Sequence, residues 1–190
     1  MAINKANMAK VRTFNRYFPK GHPKEGQETF FVEKIWKSLD YKLSQSLYFY
    51  LESFNYDSEL LLNFCNSIKS NSIDGKFHTI RAGKHFKDGD FFSPRVWSGK
   101  PYTSPQIQIA PDLEIKRVYD FRIEVEGDYI CVFVDNYPFY EENKTMVTQI
   151  EALEMLAQND GLSLQDFKDW FKWGNPFDGQ IISWNGDEGY

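Results

Sequence analysis

With 190 residues, 42% of them hydrophobic, the chain is long enough for one domain, or one domain with an insert, around a sizeable core. A formal net charge of −5 argues against a general nucleic-acid coat protein. No apolar run approaches the roughly 18–20 residues of a membrane span, and the first residues lack the apolar stretch of a secretory signal, so a cytoplasmic protein without a membrane partner is expected.

Residues 1–10 are polar and small, and read as frayed. From Met1 to Lys24 stand Lys5, Lys10, Arg12, Arg16, Lys20 and Lys24, with no acid among them. Two readings stay open for these cations: a basic face on an acidic body, or a solvated basic arm. Residues 11–18 alternate apolar and polar as a first strand does. Two prolines and two glycines make 18–26 a loop. Its lysines and His22 either line a site or are solvated, and the solvated reading is preferred. A helix is expected over 29–43, where Phe31, Ile35 and Leu39 stand four apart and Val32 and Trp36 widen the stripe. A second helix is expected over 58–68, with Asp57 as its N-cap and Leu61, Leu62, Phe64, Cys65 and Ile68 as its apolar side. Tyr48-Phe49-Tyr50-Leu51 either prolongs the first helix or forms a short one. Together these helices read as an insertion at about 27–70 into a β fold.

Residues 70–75 are turn-rich. Extended pieces follow at 76–81 and 91–97, joined through a turn at Lys87-Asp88-Gly89-Asp90. A loop at 98–105 leads to an alternating piece at 106–109, which Pro111-Asp112 ends. The clearest hairpin pairs 113–125 with 129–134 across Gly127-Asp128, a glycine-first turn whose twist suits paired strands. A change of parity between Ile115 and Val118 predicts a bulge near Arg117. A pair of helices is expected at about 148–173. Thr148 and Glu151 form the capping box of the first, and Asn159-Asp160-Gly161 closes it. Ser163 opens the second with Asp166 at the box position, and Gly174-Asn175-Pro176 stops it. Residues 181–184 read as a closing strand, followed by an acidic tail. The whole predicts a single α+β domain over 1–190: a small β-barrel or a strongly bent mixed sheet with flanking helices.

Several chemistries lack their residues. No H-x-x-x-H, cysteine pair or carboxylate cluster supports a metal site, and none is expected. There is no Walker-type phosphate loop and no G-x-S-x-G elbow, and no cofactor is expected. Cys65 and Cys131 lie far apart and read as buried thiols, which suits a reducing compartment. Aromatic residues reach 17%; most must be core, with a few exposed rings left for base stacking.

The segment Lys76-Phe77-His78-Thr79-Ile80-Arg81 remains, between Gly75 and Gly83 and followed by Lys84 and Lys87. In a strand Phe77, Thr79 and Arg81 share one face, and His78 and Ile80 the other. Lys76 reaches the Thr79 side only if the chain turns at Gly75. An amine beside a hydroxyl makes a base–nucleophile pair when the lysine pKa is lowered. The plainer reading is a basic strand edge.

This stretch, with Lys87-Asp88-Gly89-Asp90 behind it, resembles the K-x-x-T-I-R and K-x-G-D signature of ASCH-domain proteins, a branch of the PUA-like superfamily. The resemblance implies a small β-barrel with flanking helices and a cleft for RNA or a modified nucleobase. One ASCH branch removes the acetyl group from N4-acetylcytidine; Lys76 and Thr79 match two positions of its site, and Asp160 stands at the third, where that branch has Glu. Two functions are therefore expected. In the first, an RNA-, nucleotide- or nucleobase-binding module uses Lys76, His78, Thr79, Arg81, Lys84 and Lys87, with Trp97 or Tyr102 stacking on a base. In the second, an amidohydrolase uses Thr79 as nucleophile, Lys76 as base and Asp160 to orient the lysine. A protein-interaction module using the aromatic surface is a third reading.

Overall fold

The computed structural model of the chain describes residues 8–39, 74–141, 147–186 and 190. The helix expected at 58–68 and the stretch Tyr48-Phe49-Tyr50-Leu51 lie outside them. The described residues form an α+β fold of two sheets and three helices. β1 (Lys10–Thr13) runs parallel to β3 (Phe91–Trp97), which also pairs antiparallel with β4 (Gln106–Gln108) and β5 (Leu113–Glu114). The second sheet is antiparallel, in the order β2 (His78–Ala82), β9 (Phe177–Ser183), β6 (Arg117–Glu126), β7 (Tyr129–Val134), β8 (Tyr137–Glu141). Neither sheet closes into a barrel among the described residues, which corrects that alternative.

The parity change near Arg117 is a change of sheet rather than a bulge. β5 belongs to the first sheet and β6 to the second, and the pairing of Arg117 to Ile123 with β9 is regular. Ile115 sits at the crossing. Its N–H donates to Asp90 O and its C=O accepts from Gly89 N, while the next N–H, of Lys116, donates to Ser183 O. The one register shift in the second sheet lies between Val132 and Phe133, opposite β8.

β9 explains why two sheets make one body. Its side chains alternate, so Ile181 enters one apolar cluster and Ile182 the other. The Ile182 side holds Phe14, Trp36, Phe92, Val96 and Ile109. The Ile181 side holds Ile80, Phe121, Leu153, Leu156 and Phe167, contributed by the second sheet and by α2 (Val147–Asn159) and α3 (Leu164–Trp170). A strand buried on both faces reads as a run of apolar residues, as Ile181 and Ile182 do. β9 begins at Phe177, four residues before the expected 181. Gly179 occupies the place where β9 passes closest to β2: a Cβ there would lie 2.1 Å from Arg81 O.

α1 (Phe31–Ser38) packs into the core of the β fold. Phe31 belongs to one cluster, and Val32, Ile35 and Trp36 to the other. The Trp36 indole N–H donates to Ile109 O at 2.6 Å, tying the helix to the first sheet. Lys10 and Arg12 lie within β1 rather than on a free arm, and Lys10 pairs with Asp90. His22 is likewise buried, stacked on Phe18 with ring centroids 4.4 Å apart, which corrects its solvated reading.

Helix ends follow their local chemistry. Ser163 Oγ accepts from Asp166 N at 3.1 Å, as the capping box predicts. α2 starts at Val147, so Thr148 lies inside its first turn rather than ahead of it. Its far end closes at Gly161, whose φ of +77° suits the left-handed turn that ends a helix. No helix among the described residues is long and apolar enough to cross a membrane.

Candidate functional site

The end of α2 gathers the first set of polar groups. Lys76 N donates to Lys34 O at 2.9 Å, and Phe77 N donates to Asn159 O at 2.8 Å. The segment entering β2 is thereby threaded between α1 and the last turn of α2. Gly75 allows this by its size and not by a left-handed turn: a Cβ there would meet the Phe77 ring at 2.6 Å. Lys76 Nζ donates to Asp160 Oδ1 at 2.5 Å and also to Asp160 O. The Phe31 ring lies 4.4 Å from the same nitrogen. A second ammonium, Lys34 Nζ, donates to Gly161 O at 2.6 Å. Two lysines therefore meet the carbonyl end of α2, where the helix dipole favours positive charge.

Both members of the Lys76–Asp160 pair are buried, at 1% and 4% exposure. Burial lowers the Lys76 pKa to about 8, against the pull of Asp160. Burial likewise pushes the Asp160 carboxyl up, while Lys76, Arg81 and the Ile80 backbone draw it back. An amine poised near neutral pH beside a carboxylate is the arrangement a general base needs. His78 stands close by, with Nε2 4.0 Å from Asp160 Oδ1. Its Nδ1 shares a 2.9 Å hydrogen bond with the Tyr190 hydroxyl, which accepts from Asn159 Nδ2. Nε2 is buried with no hydrogen-bond partner. Burial and the Lys76 charge hold the His78 pKa well below its usual value, so the imidazole is neutral. His78 is thus an interior residue and not part of a ligand-facing rim.

Thr79 does not join this group. It is buried, but no hydrogen bond links its hydroxyl to Lys76 or Asp160 among the described residues. Strand alternation places Thr79 with Arg81, and Lys76 with His78 toward Asp160. The turn at Gly75 that would have joined Lys76 to Thr79 is not made.

A second set lies across β2, where β1 and the end of β3 approach. Here Arg12, Arg81, His85, Trp97, Tyr102 and Gln106 line a cleft of about 440 Å³. Arg81 Nη2 donates to Thr13 O at 2.9 Å, and Arg12 Nη1 donates to Val11 O at 3.0 Å. The Nε atoms of both guanidiniums are buried and have no hydrogen-bond partner. Burial lowers both pKa values. Arg12 is steadied by the Phe86 ring, 4.3 Å from its guanidinium carbon. Trp97 and Tyr102 form an aromatic pair with centroids 5.4 Å apart, and Tyr102 is 88% exposed. Tyr102 has φ +65°, uncommon for a bulky side chain.

The structure thus brings Arg81, Trp97 and Tyr102 to one cleft and leaves Lys84 and Lys87 outside its lining. Lys84 is exposed and pairs with Asp120 at 2.7 Å. The turn carrying Lys87 acts through its acids. Asp90 accepts from Lys10 Nζ at 2.8 Å, which holds its carboxyl below the usual range, and Asp88 accepts from Val118 N at 2.7 Å. Arg12, His85 and Gln180 were not foreseen as site residues. Gln180 is buried in β9, accepts from His85 N and Phe86 N, and donates to Phe86 O, fixing the loop that carries His85. For Arg12, the signal was the acid-free basic run before Lys24.

No group of three or more His, Cys, Asp or Glu among the described residues could hold a metal ion. The Cys131 thiol is buried in β7, where its Sγ donates to Val132 O at 4.0 Å. Comparison with known proteins adds no relative from which a role could be carried over: no family model, curated protein or solved structure matches the chain.

Proposed function

We propose that the chain is an RNA-, nucleotide- or nucleobase-binding module of PUA-like type, and that its ligand enters the cleft between Arg12, Arg81 and the Trp97–Tyr102 pair. The observation that carries this reading is the pair of guanidiniums whose buried Nε donors lack partners beside an open aromatic wall. A buried donor without an acceptor is costly, and a side-chain shift that presents either Nε to an anionic oxygen in the cleft removes that cost. The ring pair offers a stacking face for a heterocycle, which base recognition in single strands uses. The test is titration calorimetry with single-stranded RNA and adenosine 5′-monophosphate across a salt series. Binding is expected to weaken as salt rises. Arg12→Ala, whose Nη1 is bonded only to the neighbouring carbonyl, is expected to weaken it about tenfold or more. Salt-independent binding, or none, refutes the reading.

A second reading, amidohydrolysis of an acylated nucleoside such as N4-acetylcytidine, is favoured by the 2.5 Å Lys76–Asp160 contact and the lysine pKa of about 8. Thr79 would attack the acyl carbon while Lys76 takes its proton and passes it to the departing N4 amine as the C–N bond breaks, and water would then hydrolyse the threonine ester to release acetate. It requires a rearrangement that brings the Thr79 hydroxyl to the amine. Thr79→Ala must then abolish release of acetate from N4-acetylcytidine, and turnover retained in that variant removes the role.

A further inference from the structure

The cleft proposed for ligand binding is one of two cavities that share a wall. Trp97, at the end of β3, lines both. On its far side lies a cavity of about 530 Å³ whose lining includes Tyr17, Arg16, Lys20 and the loop at Gly99 and Pro101. The two share a composition. Each holds two basic side chains, Arg12 and Arg81 in one and Arg16 and Lys20 in the other. Each holds a tyrosine exposed far beyond what packing requires, Tyr102 at 88% and Tyr17 at 45%. Neither lining contains a carboxylate, although the chain has 27 acidic residues against 22 basic ones. On an acidic protein, an acid-free face of cations and exposed rings is not an average surface.

The geometry points to a single-stranded nucleic acid of at least two nucleotides as the ligand of this face, with Trp97 between two adjacent nucleotide sites. This rests on the binding function proposed above and extends it. A free mononucleotide would use one cavity and leave the other's cations idle. A duplex keeps its bases stacked on each other and cannot offer them to Tyr17 and Tyr102. An acidic peptide would answer the cations but not the rings. Single strands satisfy both, because every base has a face to stack and every linkage a charge.

The experiment measures affinity against ligand length by titration calorimetry, using adenosine 5′-monophosphate and the 5′-phosphorylated di- and triadenylates, in ribo and deoxy forms. The dinucleotide is expected to bind at least tenfold tighter than the monophosphate. Lys20→Glu and Tyr17→Ala are exposed changes outside the first cavity. They are expected to return the dinucleotide toward the monophosphate's affinity, lowering dinucleotide binding by a larger factor than monophosphate binding. Equal ribo and deoxy affinities, or a ribo preference, both support a single strand, and the second assigns RNA. Equal affinity for one and two nucleotides overturns the two-site inference and leaves the first cleft standing. So does a Lys20→Glu loss that is the same factor for both lengths. An oligoglutamate peptide displacing the triadenylate at matched concentration overturns it in favour of a protein partner. Failure of every nucleotide to bind sinks the underlying binding function as well.

Discussion

Lys76 and Arg81 leave the same short segment of chain and meet opposite fates. Lys76 turns toward α2, loses nearly all contact with solvent, and finds a carboxylate and a carbonyl on Asp160. Arg81 turns toward β1, stays half-buried at the edge of a cleft, and keeps one buried donor without an acceptor. The lysine is satisfied from within, so its substitution should be felt in stability. The arginine is incompletely satisfied, so its substitution should be felt by a ligand. Burial of charge separates the two roles, because a paired interior charge stabilises little in itself yet is costly to break.

The largest test removes one half of the interior pair. Lys76→Met leaves the Asp160 carboxylate buried without its hydrogen-bond donor, and is expected to cost about 1–3 kcal/mol in urea denaturation near pH 10, where the amine it replaces is already neutral. The double change Lys76→Met with Asp160→Leu removes the stranded charge and is expected to recover most of that loss. A single-variant cost under about 1 kcal/mol would erase the contrast between the two regions, since that is the range of surface pairs.

A pH series sharpens the same point with no change to the folded contacts. Lys76 titrates near 10.5 when unfolded and at about 8 when folded. Between these values the unfolded chain holds a proton that the folded chain has released, so stability rises with pH across that window. Below about 8 both states are protonated and the full cost of a buried ammonium is present. The expected gain from pH 8 to 10.5 is roughly 3 kcal/mol, read as the wild type minus the Lys76→Met/Asp160→Leu variant. A difference that falls with pH would show that the amine does not carry the lowered pKa.

Gly179→Ala probes the other region. Its new Cβ would meet the Arg81 carbonyl, so β2 and β9 must separate. A loss of about 1–3 kcal/mol in stability is expected, the range for forced overpacking. Because Ala82 pairs directly with Gly179, the displacement reaches the strand end that carries Arg81, and oligonucleotide affinity should drop as well.

What the sequence revealed of this contrast follows from range in the chain. Local signals were legible: the Gly127-Asp128 turn, the Ser163 cap, the glycine closing α2, and strand alternation through β2. Asp160 beside Lys76 was legible only through a resemblance, since nothing local says that a helix end will meet that strand. β8 went unread although Asp135-Asn136 marks it, both residues having positive φ as a tight hairpin turn requires. The crossing at Ile115 was read as a bulge because a switch between sheets and an extra residue shift parity in the same way. Arg12 and His85 were missed because their cleft is assembled by the parallel β1–β3 pairing and by Gln180, all distant in sequence. His22 was misjudged because its burial depends on Phe18 stacking and on Trp170 of α3, 6.3 Å away between centroids.

The smallest expected effect separates the cleft from the basic rim that sequence reasoning favoured. Lys84 is exposed and already pairs with Asp120, so an incoming phosphate must compete with a partner that is in place. Arg81 feels the charge of Asp160 but keeps a buried Nε donor with no hydrogen-bond partner. Salt dependence tells these situations apart, because each phosphate neutralised in a single strand adds about 0.7 to the slope of log K against log salt. Arg81→Ala should lower the slope by about that amount, whereas Lys84→Ala should leave slope, affinity and thermal midpoint unchanged. If Lys84→Ala lowers the slope as far as Arg81→Ala does, the ligand runs along the β2–β3 turn, and the cleft beside Trp97 loses its privileged place.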